Sequence, residues 1–323
     1  MRTFSSVALV LSLVACSSDP QTPPATGLVD PAIVGRGEYL ARSVAGCGEC
    51  HTPRDVLGNL DMSMWMAGVA DRFDLVPQDP AIGQVPAPNL TPDPTGLGGV
   101  SEAKIVRAIR DGIAPGNRVM TPLMPSYVFH NMTDEDAHAI AVYLTTLRPI
   151  TNKLPERQPL PIPQDKPASP VPQSAIPHTT LPSSNPQSLR AEHGRYLAAE
   201  VGFCMDCHTH WVLGRDQPLD LDGLFAGNRA LSARDWSVPP PARRVIYSTN
   251  LTPHKSGLDR WSPQDVQVAI KTGIDRAQTP LCRPMPSGPF GAFGGLTDSD
   301  TLDIGLYLTS LPPIDSGDIP SCQ

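Results

Sequence analysis

The chain has 323 residues, enough to bury more than one core. A formal charge of −7 leaves no basic excess to replace phosphate counterions, which excludes a nucleic-acid surface. Aromatic residues make up only 5%, while 38 prolines and 26 glycines commit much of the chain to loops, so a core built here wants another apolar body to fill it.

Residues 1–15 read as an export signal: Arg2 supplies positive charge, Val7 to Val14 an apolar run, and Leu13-Val14-Ala15-Cys16 closes it. The run is too short for an ordinary membrane span. Its end resembles the lipobox of bacterial lipoproteins, which implies acylation of Cys16 and a lipid anchor. Residues 16–30 then form a polar tether.

From Gly37, GEYLARSVAGCGECHT aligns without gaps to GRYLAAEVGFCMDCHT from Gly194. NLTPDPTGLGGVSEAKIVRAIRDGI from Asn89 matches NLTPHKSGLDRWSPQDVQVAIKTGI from Asn250, and MTDEDAHAIAVYLTTLRPI matches LTDSDTLDIGLYLTSLPPI. The chain is a duplicated unit. Its copies span residues 31–153 and 189–323, and between them residues 154–188 carry ten prolines and no apolar periodicity. That stretch reads as an extended, polyproline-like linker joining two domains.

Each copy predicts the same three helices in order. Gly37, Leu40, Val44 and Cys47, like Gly194, Leu197, Val201 and Cys204, recur at helical steps and form one face leading into the cysteines. A middle helix opens at Ser101 or at Ser262-Pro263, buries Ile105 and Ile109 or Val266 and Ile270, and stops at Gly112 or Gly273. A terminal helix is capped by Thr133 or Thr297 and ends before Pro149 or Pro313. No run of alternating strand residues stands out, so the expected fold is all-α.

Cys47-Gly-Glu-Cys50-His51 and Cys204-Met-Asp-Cys207-His208 have the spacing of covalent haem attachment. In that chemistry both thiols add to the vinyl groups and the histidine becomes the proximal iron ligand. A thioredoxin-like dithiol needs a βαβ context that is missing, and a zinc site needs further cysteines or histidines at a recurring spacing. The expectation is therefore two covalently attached c-type haems. A sixth ligand should recur at an equivalent place. Met120 falls on Leu281 and Met132 on Leu296, whereas Met124 falls on Met285, each followed by Pro-Ser. His51 and Met124, and His208 and Met285, are the expected axial pairs. His130, His138, His178, His193 and His254 have no equivalent in the other copy, and His210 lies too close to His208 to reach the opposite haem face. Asn89-Leu-Thr-Pro and Asn250-Leu-Thr-Pro fit a side-chain-capped turn, or asparagines that hold haem-edge groups. Of the remaining cysteines, Cys282 and Cys322 are candidates for a disulfide in an oxidising compartment.

These motifs, over residues 31–152 and 189–314, resemble tandem class I cytochrome c domains, and are similar to the haem subunits of membrane-bound gluconate, sorbitol and alcohol dehydrogenases. Such subunits often have three haem domains and a membrane-attaching C-terminus, where this chain shows two and an N-terminal cysteine. Val100 stands opposite Trp261, and Ser126 and Ser287 stand where the family often has an aromatic residue. The resemblance implies electron transfer between an exported or membrane-bound dehydrogenase and a cytochrome or oxidase acceptor, on the periplasmic side of a membrane. No catalytic acid or base stands out. A dihaem enzyme, a peroxidase or sulfur-compound oxidoreductase with one open iron, is the alternative.

Overall fold

A computed structural model describes residues 29–156, 160, 165–212, 214–232 and 245–319. Cys16 and Cys322, with the expected signal segment, lie outside them. No helix among the described residues is long and apolar enough to cross a membrane.

Helix α1 (Pro31–Tyr39) begins on Asp30, whose carboxylate accepts the Ala32 N–H at 2.9 Å. It continues into a π-turn, Leu40–Val44, closed by the Ala45 N–H donating to the Leu40 carbonyl at 2.7 Å. Gly46, at φ 54°, then breaks the backbone path, and α2 (Cys47–His51) starts afresh. The continuous helical face expected from Gly37 to Cys47 is thus interrupted, because the π-turn inserts a residue and Gly46 adopts a left-handed conformation. Strands β1 (Val69–Asp74) and β2 (Gln84–Ala87) pair antiparallel. Helix α3 (Glu102–Asp111) ends on Gly112 at φ 67°, as its sequence signal requires. A minimal ribbon of β3 (Ile113–Ala114) and β4 (Arg118–Val119) leads to α4 (Ser126–Phe129) and α5 (Asp134–Thr146). Thr133 caps α5 by accepting the Asp136 N–H at 3.2 Å.

The second copy repeats this plan. Helix α6 (Ser188–Tyr196) runs into a π-turn, Leu197–Val201, and α7 (Cys204–Cys207) follows. Strands β5 (Ala230–Ser232) and β6 (Val245–Tyr247) pair antiparallel. Helix α8 (Pro263–Thr272) starts with a capping box between Ser262 and Asp265 and ends on Gly273; α9 (Asp298–Thr309) is capped by Thr297. Helices dominate, as expected, and among the described residues three two-stranded ribbons accompany them. Pairings this short and local leave no alternation for sequence inspection to register.

Helix α1 crosses α5 so closely that a Cβ at Gly37 would strike the Ala139 carbonyl; α6 crosses α9 the same way, with Gly194 against the Asp303 carbonyl. One hydrophobic cluster runs through both copies, taking in Leu40, Val44, Ile140 and Leu144 with Leu197, Val201, Ile304 and Leu308. The copies also exchange hydrogen bonds reciprocally. The Tyr39 hydroxyl donates to Asp300 and accepts the Thr297 N–H at 3.2 Å. The Tyr196 hydroxyl donates to Asp136 at 2.7 Å and accepts the Thr133 N–H at 3.3 Å. Tyr39 and Tyr196 are repeat equivalents, as are Asp136 and Asp300, so the copies meet with approximate two-fold symmetry.

The proline-rich stretch lies against both copies. It buries Val171 and Ile176 and forms a 3-10 turn, Gln173–Ala175. Val171 N–H donates to the Tyr127 carbonyl at 2.9 Å in the first copy, and Thr180 N–H to the Ser310 carbonyl at 3.0 Å in the second.

Candidate functional site

Each cysteine motif is built into its copy by the residues that follow it. The Thr52 hydroxyl accepts the Met66 N–H at 3.0 Å, and the Thr209 hydroxyl accepts the Phe225 N–H at the same distance. Met66 and Phe225 sit at φ 60° and 66°, a conformation costly for large side chains, so both turns are held by their surroundings. The next link returns to the motif: Gly68 N–H donates to the His51 carbonyl at 2.8 Å, and Gly227 N–H to the His208 carbonyl at 2.7 Å. Side-chain volumes also compensate between the copies. The indole of Trp65 packs where a Cβ on Gly48 would stand, and the second copy places Met205 and Leu224 at these positions.

Both histidines are buried, at 7% and 8% exposure, and burial pushes their imidazoles below the ordinary histidine range. A neutral ring has one N–H. The His51 Nδ1 donates it to the Pro88 carbonyl at 2.8 Å, and the His208 Nδ1 to the Thr249 carbonyl at 2.7 Å. This leaves Nε2 of each ring as the free lone pair, the usual second-shell device that orients a metal-binding histidine.

Residues 88 and 249 immediately precede the recurring Asn-Leu-Thr-Pro turns, which gives those turns a purpose. Asn89 Oδ1 accepts the Thr91 N–H at 2.9 Å and its hydroxyl at 2.8 Å, while Nδ2 donates to Thr95 Oγ1 at 3.1 Å and the Ile150 carbonyl at 2.8 Å. Asn250 repeats the pattern on Thr252, Ser256 and the Ile314 carbonyl. Both residues are buried, at 2% and 1% exposure, and each side-chain amide has both donors and both lone pairs committed within the chain.

Cys47, Cys50, Cys204 and Cys207 are free and partly buried. Desolvation pushes Cys47, Cys50 and Cys204 up to about 12, and Cys207 higher still. Burial thus favours the neutral thiol in all four, where a reactive dithiol needs a thiolate favoured by its surroundings. Among the described residues, the one trio of side chains close enough to share an ion, His193, Asp300 and Asp303, contains no cysteine, and Arg190 already pairs with Asp303 at 2.5 Å. The two motifs lie near each other: Cys50 opposes the ionisation of Cys207, and a Cβ at Gly46 would come within 2.8 Å of the Phe203 ring.

Met124 and Met285 pack against the same hydrophobic cluster as Cys47 and Cys204. Their loops match: Met124 N–H donates to the Thr121 carbonyl at 3.1 Å, Met285 N–H to the Cys282 carbonyl at 3.0 Å. Cys282 is disulfide-bonded; the other expected member of its pair, Cys322, lies outside the described residues. Two neutral thiols beside an imidazole with a free Nε2, given twice, suit covalent haem.

Sequence inspection missed the π-turns, the carbonyl partners of the histidines, and a buried acid in each motif. Glu49 pairs with Arg54 at 2.6 Å, and Asp206 with Arg229 at 2.6 Å. Their shared position, one residue before the second cysteine, is the signal that could have found them.

No protein-family model matches the chain. It is 28% identical to the fructose dehydrogenase cytochrome subunit of Gluconobacter japonicus, over 96% of this chain and 59% of that protein. It is 27% identical to the alcohol dehydrogenase (quinone) cytochrome c subunit of Gluconobacter oxydans, over 89% of this chain and 56% of that one. A diheme cytochrome c-type protein of Cereibacter sphaeroides is 26% identical over 98% of this chain and all of its own length. The chain thus spans under two thirds of the two dehydrogenase subunits. Its homologues are cytochrome c subunits of dehydrogenases and a diheme cytochrome c, and this kinship implies covalently bound c-type haem with iron.

Proposed function

We propose that this chain is a dihaem electron carrier of two cytochrome c-type units, taking electrons from an exported or membrane-bound dehydrogenase and passing them to a cytochrome or oxidase. Cys47 and Cys50 hold one haem and Cys204 and Cys207 the other through thioether bonds. His51 with Met124, and His208 with Met285, would be the axial pairs that hold the irons. Bound haem supplies the one-electron chemistry. The protein's part is to bind, orient and exclude. Pro88 and Thr249 carbonyls fix the imidazole tautomer, so that Nε2 is always the ligating atom. Asn89 and Asn250 are spent on the turns that present those carbonyls, which supports a turn-locking role in place of contact with a haem edge. The methionine loops would supply Met124 and Met285 as second ligands to the irons, which would leave no open coordination site for a substrate. Cys16 would carry a lipid anchor, holding the carrier at a bacterial membrane on its periplasmic side.

The observation that carries this reading is the duplication of the histidine support. The equivalent residues of the two copies, Pro88 and Thr249, differ in side chain yet each offers its backbone carbonyl to Nδ1 of the motif histidine. Redox titration with visible spectra tests it. The wild-type protein should show two six-coordinate c-type haems, and Met124→Ala and Met285→Ala should each remove methionine ligation from one of them. A haem that is five-coordinate in the wild type, or turnover of peroxide, would favour the dihaem enzyme.

A further inference from the structure

We propose that Glu49 and Asp206 are cross-copy positioning residues, each steadying the methionine loop of the opposite copy, so that axial ligation at one haem depends on the attachment motif of the other. This rests on the axial pairs assigned above.

The two carboxylates occupy equivalent places, one residue before the second cysteine, and each is 5% exposed. Haem attachment requires nothing of that position. An acid lodged there is costly to bury, and a buried ion pair is weak support for stability by itself. Each carboxylate does two things. Within its own copy it pairs with an arginine: Arg54 Nη2 donates to Glu49 Oε2 at 2.6 Å, and Arg229 Nη1 lies 2.6 Å from Asp206 Oδ1. Toward the other copy it accepts a hydrogen bond: Glu49 Oε1 from the Ala292 N–H at 2.9 Å, and Asp206 Oδ1 from the Tyr127 hydroxyl.

Both cross-copy donors lie in the helical turns that follow the methionines, Tyr127 in α4 and Ala292 at the start of a 3-10 turn, Ala292–Gly295. Tyr127 is three residues beyond Met124, and the turn between them is closed by Ser126 N–H donating to the Met124 carbonyl at 2.7 Å. Ala292 precedes Phe293, whose N–H donates at 2.9 Å to the carbonyl of Pro286, the residue after Met285. A second tie reinforces the Met285 side. Arg283 Nη1 donates to the Gly58 carbonyl at 2.9 Å, the same carbonyl that receives Arg54 Nη1 at 3.0 Å. The pattern is crossed: Asp206 stands in the second attachment motif and holds Tyr127, beyond Met124, while Glu49 stands in the first and holds Ala292, beyond Met285. Arginine fixes each carboxylate, so the carboxylate fixes the loop.

Displacement of methionine by imidazole, followed spectroscopically at each haem of the holoprotein, tests this. Met124→Ala and Met285→Ala spectra assign the haems. Asp206→Asn and Tyr127→Phe should each raise imidazole affinity at the Met124 haem by about tenfold, as expected when a hydrogen bond to a charged group is lost. The double variant should go no further than the stronger single change, because both act on the same bond: Tyr127→Phe removes it and Asp206→Asn strips it of its charge. Glu49→Gln should act on the Met285 haem. The inference is overturned if Asp206→Asn alters only the Met285 haem, if it alters neither, or if the two substitutions add fully. Should Asp206→Asn fail to fold around an unpaired Arg229, Tyr127→Phe, which leaves that pair intact, decides alone: unchanged affinity at the Met124 haem overturns the inference. A wild-type spectrum without methionine ligation would instead refute the axial assignment.

Discussion

Removing the tyrosine hydroxyls that join the copies measures how far the two haem units depend on one another. Tyr196→Phe deletes one hydrogen bond to the Asp136 carboxylate, at 2.7 Å, and one accepted from the Thr133 N–H, at 3.3 Å. Arg36 still holds Asp136 with two bonds of 2.8 Å, so the carboxylate is not abandoned. A hydrogen bond to a charged group contributes about 1.5–3 kcal/mol, and the retained arginine places this loss near the lower end, about 1.5 kcal/mol. The mirror variant, Tyr39→Phe, removes the corresponding bond to Asp300, which no arginine among the described residues holds by a hydrogen bond; His193 Nδ1 lies 4.0 Å away. Its loss should therefore be larger, about 2 kcal/mol. Urea unfolding of the holoprotein, followed by far-ultraviolet circular dichroism, gives both values from the shift of the midpoint at constant slope. The reasoning fails if both variants stay within about 0.5 kcal/mol of the wild type, the range of ordinary surface substitutions. It also fails if Tyr196→Phe proves the more damaging of the two.

Asn89→Ala should destabilise the holoprotein by about 2–4 kcal/mol, since four hydrogen bonds vanish and the Thr91 N–H is left buried; thermal unfolding checks this, and Asn250→Ala should match it. Gly37→Ala and Gly194→Ala should each cost about 1–3 kcal/mol or abolish folded yield, because the added methyl meets a backbone carbonyl that cannot turn aside; soluble haem-loaded protein per cell is the measurement. For Asp136, burial alone would raise its carboxyl, yet hydrogen bonds from Arg36 and Tyr196 outweigh it and hold it below the usual range. A depressed acid stabilises the fold above its unfolded pKa, near 3.9, and that contribution is lost as the pH falls through the lower folded value. The stability gap between wild type and Asp136→Asn should be widest at neutral pH and close below about pH 4, as read from urea midpoints across that range.

What the sequence by itself determined is whatever recurs at a fixed spacing. The two cysteine motifs, the Met-Pro loops, the threonine caps of α5 and α9 and the glycine stops of α3 and α8 are local signals. Each depends on residues within a few positions of one another, so a linear reading reaches them. Tertiary structure decided the rest. The π-turns Leu40–Val44 and Leu197–Val201 interrupt a face whose residues are spaced as for one continuous helix. The acceptors for His51 and His208 are backbone carbonyls, and a carbonyl has no letter in a sequence, so Pro88 and Thr249 could be named only once the chain had folded back. The same holds for Glu49 and Asp206. Their partners in the opposite copy, Ala292 and Tyr127, are 243 and 79 residues away, a separation that no local pattern spans and that only the packing of one copy on the other brings to hydrogen-bonding distance.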